Sequence, residues 1–285
     1  MVYDRATGEI DIDATLRAVS GRRPDLIFLD ASAILFPYPV RQLRKAFGPD
    51  VVIAYDASHV MGLIAGGQFQ DPLAEGADLL QGSTHKTLFG PQKGLFACKE
   101  NGKVAQRIAD GVVPLFASNV HVHHVAALAV ALEEIVNHGR PYAAAVVSNA
   151  RALAQSLADH GCVPAFEAKG FTRSHQVIVP IGERDGAERV FFQLEEAGIH
   201  TNCIRIPCDQ RSGLRLGVAE LTRRGMTNTE IQVIGRAISD VITGRKSPAK
   251  IRATVEDMSG NFQKLLYWRD AGETSQSRTP SKSRR

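Results

Sequence analysis

The chain has 285 residues, enough for one large domain or for one large and one smaller domain. Hydrophobic residues make up 44% and charged residues 22%, which excludes global disorder, and no apolar run approaches the roughly 18 residues of a membrane helix. The net charge is +4, and most of it comes from the last fifteen residues, where Arg278, Lys282, Arg284 and Arg285 face only Glu273; the body of the chain lacks the positive excess of a nucleic-acid-binding surface.

The polar, acidic start MVYDRATGEIDID does not read as a secretory signal. Cys98, Cys162, Cys203 and Cys208 form no CxxC pair and read as free thiols of a reducing, cytoplasmic compartment. Ile12 to Val19 reads as a helix, Leu26 to Leu29 as a strand, Val40 to Phe47 as a helix and Val51 to Tyr55 as a strand. Leu79-Leu80 and Gly94 to Cys98 are weaker strands. Uninterrupted apolar strands of this kind predict a parallel or mixed α/β sheet buried on both faces. A helix is predicted over Val125 to Asn137, ended by His138-Gly139 and Pro141, and a second over Tyr142 to His160, stopped by Gly161.

After Gly161 the pattern changes. Gln176 to Ile181 alternates like a strand, Gly186 to Ala197 reads as a helix, and Ile199 to Ile206 and Leu214 to Val218 read as strands. Thr227 to Thr243 reads as a helix opening on a Thr227/Glu230 capping box, and Pro248 starts a last helix to about Trp268. This order predicts an α/β domain over 1–150, a small α+β domain over 151–270 and a solvated basic tail over 271–285.

Chemistry concentrates directly after the apolar strands. Asp30 and Ser32 follow the first, Asp56 and His59 the second, and Ser83, Thr84, His85 and Lys86 the third. Ligands of open α/β sheets bind outside the carboxyl ends of strands. A partly buried lysine there has a lowered pKa and is a Schiff-base nucleophile. GGQF and GPQKG are too short for a nucleotide phosphate loop. An Asp, a His and a Lys on neighbouring strand ends suit pyridoxal phosphate instead: the lysine forms the imine, and the aspartate pairs with the pyridinium nitrogen and maintains the electron sink. Taken singly, each of these residues is most often a solvated charge or a helix cap; their joint occurrence carries the reading.

The segments YDASHVMGLIAGG (55–67) and STHKTLFGPQKG (83–94), followed by KGFTRSHQ (169–176), SGLRLG (212–217) and TRRGM (222–226), resemble the serine hydroxymethyltransferase family. The resemblance runs from about residue 10 to about residue 265. It implies the large domain of a fold-type-I pyridoxal-phosphate transferase, with a mixed, mostly parallel sheet incomplete at its N-terminal side, followed by a small α+β domain. It implies Lys86 and His59 as catalytic residues, Lys86 as the Schiff-base lysine and Asp56 at the pyridine nitrogen. His59 and Ser32 would lie near the 3′-oxygen, Ser83 and His85 at the phosphate, and Arg215 on the substrate carboxylate. The implied reaction is retro-aldol cleavage of a β-hydroxy amino acid: serine and glycine interconvert, with tetrahydrofolate as co-substrate. In the folate-independent threonine transaldolase branch, threonine is cleaved instead.

Departures from the family pattern carry their own expectations. Where bacterial and eukaryotic members have a glycine-rich GGQGG loop, residues 114–124 read PLFASNVHVHH, as in archaeal-type enzymes and threonine transaldolases. The three histidines of that stretch read as interface or phosphate contacts, with no metal. Met1 aligns well inside the family's large domain. The family's N-terminal arm, catalytic glutamate, active-site tyrosines, phosphate loop and ring-stacking histidine have no counterpart here. The expectation is a homo-oligomer (a homodimer in the family) or a complementing N-terminal chain, weak activity of the chain alone, and an apolar edge or face of the sheet open to water. The missing glutamate and phosphate loop also favour a further alternative, a catalytically incomplete fragment or a binding or assembly subunit.

Overall fold

The computed structural model describes residues 1–267 apart from residues 31, 100–102 and 208. In chain order the elements are α1 (Ile12–Ala18), β1 (Leu26–Leu29), α2 (Val40–Phe47), β2 (Val52–Asp56), α3 (Met61–Ala65), α4 (Pro72–Glu75), β3 (Leu79–Ser83), β4 (Gly94–Cys98) and α5 (Lys103–Gly111). A π-helical turn, Val112–Phe116, leads towards α6 (Val122–Asp159). Then come β5 (Gln176–Gly182), α7 (Arg184–Glu196), β6 (Asn202–Arg205), β7 (Ser212–Gly217), α8 (Ala219–Arg223), α9 (Asn228–Ile242) and α10 (Pro248–Asn261). The tail over 271–285, Trp268 and Cys208 lie outside the described residues.

The first sheet has the order β1-β2-β3-β4, with β1, β2 and β3 parallel and β4 antiparallel to β3. The carboxyl ends of β1, β2 and β3 therefore lie along one edge, and Asp30, Asp56 and Ser83 occupy it. The second sheet, β5-β7-β6, is antiparallel throughout. The mixed α/β architecture with a mostly parallel first sheet matches the expected fold class.

Two expectations are corrected. Burial of the first sheet on both faces fails at β1, where Ile27 and Leu29 are buried but Leu26 and Phe28 are exposed, as is Phe96 of β4. The apolar face open to water lies there. The two helices expected around Pro141 are one helix, α6, of 38 residues with Pro141 inside it. An interior proline costs about 3 kcal/mol through a lost hydrogen bond and a steric clash. Burial of Ile135 before it and of Tyr142, Ala143 and Val146 after it, at about 1.5–3 kcal/mol per large apolar side chain, outweighs that cost. Gly66, at the end of α3, lets the α6 backbone come close: a Cβ there would collide with the Gly139 carbonyl.

α6 also carries the packing between the two sheets. One apolar core runs from Ile27, Leu29 and Ile53 of the first sheet, through Tyr142, Val146, Ala150 and Leu153 of α6, to Val177 and Leu216 of the second. Asn149 Nδ2 donates to Thr222 Oγ1 and to the Met226 carbonyl, each at 2.9 Å, and ties α6 to α8. The Thr227/Glu230 capping box opens α9, with the Thr227 N–H donating to Glu230 Oε2 at 2.7 Å.

Candidate active site

Lys86 lies in a tight loop between β3 and β4. The Gly90 N–H donates to the Thr84 carbonyl at 2.7 Å, the Phe89 N–H to the Lys86 carbonyl at 2.9 Å and the Thr84 N–H to the Lys93 carbonyl at 2.9 Å. Thr87 anchors the loop to the neighbouring strand end, its hydroxyl donating to the His59 carbonyl and accepting from the Gly62 N–H, both at 3.0 Å. Phe89 adopts the left-handed conformation, with φ 48°, which is rare for a bulky residue. These contacts direct the lysine toward His59, with Nζ 3.3 Å from His59 Nε2.

A cavity of about 370 Å³ opens beside this pair. Lys86, His59, His85, His175, Gln176 and Arg215 line it, with Asn202, Tyr142, Phe89 and Arg223 around them. It lies between the carboxyl edge of the first sheet and the second sheet. Arg215, on β7, donates through one Nη to the Ser32 carbonyl and through the other to Asn202 Oδ1 at 2.9 Å. The rings of His59 and His175 are nearly parallel, at 12°, with centroids 6.0 Å apart.

The electrostatics favour neutral bases. Burial, then the charges of Lys86 and Arg215, depress His59 to about 4 against the opposing pull of Asp56. Burial, then His59, Arg215 and Lys86, depress His175 to about 3. Burial and Arg215 also lower Lys86, while Asp56 and Asp30 oppose the shift. A lysine amine with its ammonium form disfavoured is able to attack a carbonyl carbon.

The structure brings Lys86, His59, His85 and Arg215 to one cavity. Asp56, Ser32 and Ser83 lie beside it without lining it. Asp56 Oδ1 accepts from the Ser58 N–H at 2.7 Å, and the Ser83 N–H donates to Ser58 Oγ at 3.1 Å. Ser32 lines a separate cavity of about 450 Å³ together with Asp30, Tyr3 and Phe166. Sequence reasoning assigned no role to His175, Gln176, Asn202 or Arg223, although His175, Gln176 and Arg223 fall within the quoted motifs. The histidines of the 114–124 stretch form a separate group: His123 and His124 have ring centroids 4.3 Å apart, and His121 Nδ1 lies 2.8 Å from Lys93 Nζ. Among the described residues, no group of His, Cys, Asp or Glu is arranged to hold a metal ion.

The fold and this lysine-centred cavity define the class of fold-type-I pyridoxal-phosphate transferases. A solved structure of that class, L-threonine transaldolase from Pseudomonas fluorescens in its internal aldimine state, superposes with a TM-score of 0.89 at 33% identity, covering 94% of this chain and 62% of that one. The serine hydroxymethyltransferase family model matches residues 1–238, and the chain belongs to that family. It is 43% identical to the serine hydroxymethyltransferase of Methanopyrus kandleri over 272 residues and 40% identical to that of Methanocella arvoryzae over 272 residues. Each alignment covers 93% of this chain, and respectively 63% and 64% of the relative. The chain thus spans less than two thirds of the length of these relatives. Family membership implies pyridoxal phosphate as the cofactor. No helix among the described residues is long and apolar enough to cross a membrane.

Proposed function

We propose that this protein is a pyridoxal-phosphate-dependent retro-aldol enzyme that interconverts serine and glycine with a one-carbon acceptor, tetrahydrofolate. The observation that carries the reading is a lysine amine 3.3 Å from a neutral imidazole, in a cavity that a guanidinium also lines. The donor set fits the cofactor. It offers a deprotonatable amine, an aspartate on the neighbouring strand end, and hydroxyl and imidazole groups around the Lys86 loop. His175 Nδ1 is also buried there without a hydrogen-bond partner.

Lys86 would hold the cofactor covalently, Asp56 its ring nitrogen, His59 and Ser32 its 3′-oxygen, and Ser83 and His85 its phosphate. When bound, pyridoxal phosphate supplies an electron sink for the charge left on the α-carbon as the bond to the β-carbon breaks. Arg215 would orient the substrate by pairing its planar fork with both carboxylate oxygens; Ser32 and Asn202 already fix the guanidinium plane. His59 stays neutral above about pH 4 and can hold a proton at Nε2 beside the reacting groups.

A second reading, a folate-independent threonine transaldolase, is favoured by the L-threonine transaldolase that superposes on this chain. Serine and threonine turnover measured with and without tetrahydrofolate separates the two. The division into units near residue 150 would fall inside α6. The exposed Leu115, Phe116, Val122 and Val136 support an association between chains, and the free Cys98, Cys162 and Cys203 a reducing, cytoplasmic setting. The direct test is borohydride reduction with pyridoxal phosphate followed by peptide mapping. Lys86 is the expected site, and equal labelling of the exposed Lys99 overturns the reading.

A further inference from the structure

Gln176 is the first residue of β5, buried to 2% exposure, and its amide meets three groups. Its Oε1 accepts from the Ile34 N–H at 2.9 Å. Its Nε2 donates to the Ser32 carbonyl at 3.1 Å and lies 3.0 Å from His59 Nδ1. The two backbone partners fix the orientation of the amide. Turned by 180°, it would set its NH2 against the Ile34 N–H and its oxygen against the Ser32 carbonyl, with both pairs repulsive.

The consequence passes along the imidazole. Nε2 of Gln176 carries two hydrogens; one serves Ser32 and the other points at His59 Nδ1, which must therefore be an acceptor. A neutral imidazole with an accepting Nδ1 bears its hydrogen on Nε2. That nitrogen is the one 3.3 Å from Lys86 Nζ. An Nε2–H can donate to the lone pair of a neutral amine but opposes the hydrogens of an ammonium.

We infer that Gln176 is a positioning residue that locks His59 in its Nε2–H tautomer and thereby favours the unprotonated amine of Lys86. The amide is uncharged and acts by direction alone, at no cost in added charge. It also couples the second sheet to the site on the first, since the same Ser32 carbonyl receives both Gln176 and Arg215. The bearing on Lys86 as the Schiff-base lysine rests on the function proposed above; the tautomer assignment does not.

The test uses the full chain with 15N-labelled histidine. NMR of the wild-type protein between pH 6 and pH 8 is expected to show a single His59 tautomer with the hydrogen on Nε2. A hydrogen on Nδ1 in the wild type overturns the inference whatever the variants do. In Gln176→Leu, and in Gln176→Met should the leucine variant fail to fold, both tautomers are expected. An unchanged single Nε2–H tautomer in a folded variant also overturns it.

A second measurement follows the pH dependence of pyridoxal-phosphate trapping at Lys86 by borohydride. The groups that set its background are His59, Asp56, Asp30 and Arg215, with His175 on the far face of His59. The midpoint is expected to rise by about one pH unit in Gln176→Leu, and further in Gln176→Glu, whose carboxylate stabilises the ammonium. Equal midpoints in wild type and both variants, with the tautomer altered, overturn the link from His59 to Lys86. Failure of the wild type to label Lys86 at all overturns the proposed function and leaves the tautomer result standing.

Discussion

Glu134 of α6 and Arg223 of α8, 89 residues apart in the chain, form an ion pair in the core, with Arg223 Nη2 3.1 Å from Glu134 Oε2 and side chains only 8% and 3% exposed for Arg223 and Glu134. The guanidinium carbon lies 3.7 Å from the centroid of Phe89, the left-handed residue that closes the Lys86 loop. Phe89 in turn meets Tyr142 edge-on at 5.0 Å. The pair thus backs the loop that carries the lysine. One atom of each partner, Glu134 Oε1 and Arg223 Nη1, is buried without a hydrogen bond, so the pair is costly to desolvate and costlier to break. Glu134→Leu or Arg223→Met alone is expected to destabilise the fold by about 3–5 kcal/mol, because each leaves a lone buried charge. The double variant is expected to recover more than half of that loss in urea unfolding. Additive losses in the double variant would show that the two charges are not paired.

Arg215 is held half-buried by the Ser32 carbonyl and Asn202 Oδ1, which leaves its remaining N–H groups for a ligand. Arg215→Lys keeps the positive charge and loses the fork. Glycine affinity, measured by titration of the holoenzyme, is expected to fall by about 1.5–3 kcal/mol, the value of a charge-assisted hydrogen bond, while Lys86 remains the site of borohydride trapping. Unchanged glycine affinity would remove Arg215 from carboxylate binding.

The parts of this molecule legible in the sequence are those whose cause is local. β1 and β2 are apolar runs bounded by polar residues, and the Lys86 loop announces itself by a dense polar motif at a strand end. The short helices α3 and α4, of five and four residues, are too brief to show a helical period in the sequence. Pro141 reads as a helix end because its local cost is real, while the compensating burial comes from packing of its neighbours against residues far along the chain. The same holds for the site. Lys86, His59 and Arg215 stand in recognisable motifs. Gln176 acts on a histidine 117 residues away and on a backbone amide 142 residues away, and nothing in a strand-initial glutamine signals either contact.

Gly62 marks the closest approach between α3 and the Lys86 loop. A Cβ built there would collide with the Thr87 carbonyl and would lie 2.8 Å from the Leu88 nitrogen, both backbone atoms that cannot swing aside. Gly62→Ala is therefore expected to displace the loop, costing about 1–3 kcal/mol as an overpacked contact does. The displacement should also reduce borohydride trapping at Lys86 more than trapping at Lys99. Equal reduction at both lysines in peptide mapping would mean that the whole fold has loosened rather than the loop.

His175 provides a pH signature. Burial, reinforced by His59, Arg215 and Lys86, depresses it to about 3 in the folded chain, against about 6.5 unfolded. Between those values the unfolded chain binds a proton that the folded chain does not, so stability falls as pH falls. The loss begins near pH 6.5, grows down to about pH 3, and is absent above neutrality. From pH 7 to pH 5 this one group is expected to remove on the order of 2 kcal/mol. His175→Phe keeps an aromatic ring facing His59 and removes the titration. Urea unfolding of the variant should therefore show a shallower decline over the same interval, with the remaining slope coming from His59 and other groups. If wild type and variant lose stability in parallel between pH 7 and pH 5, the buried His175 is not the group whose protonation drives the decline.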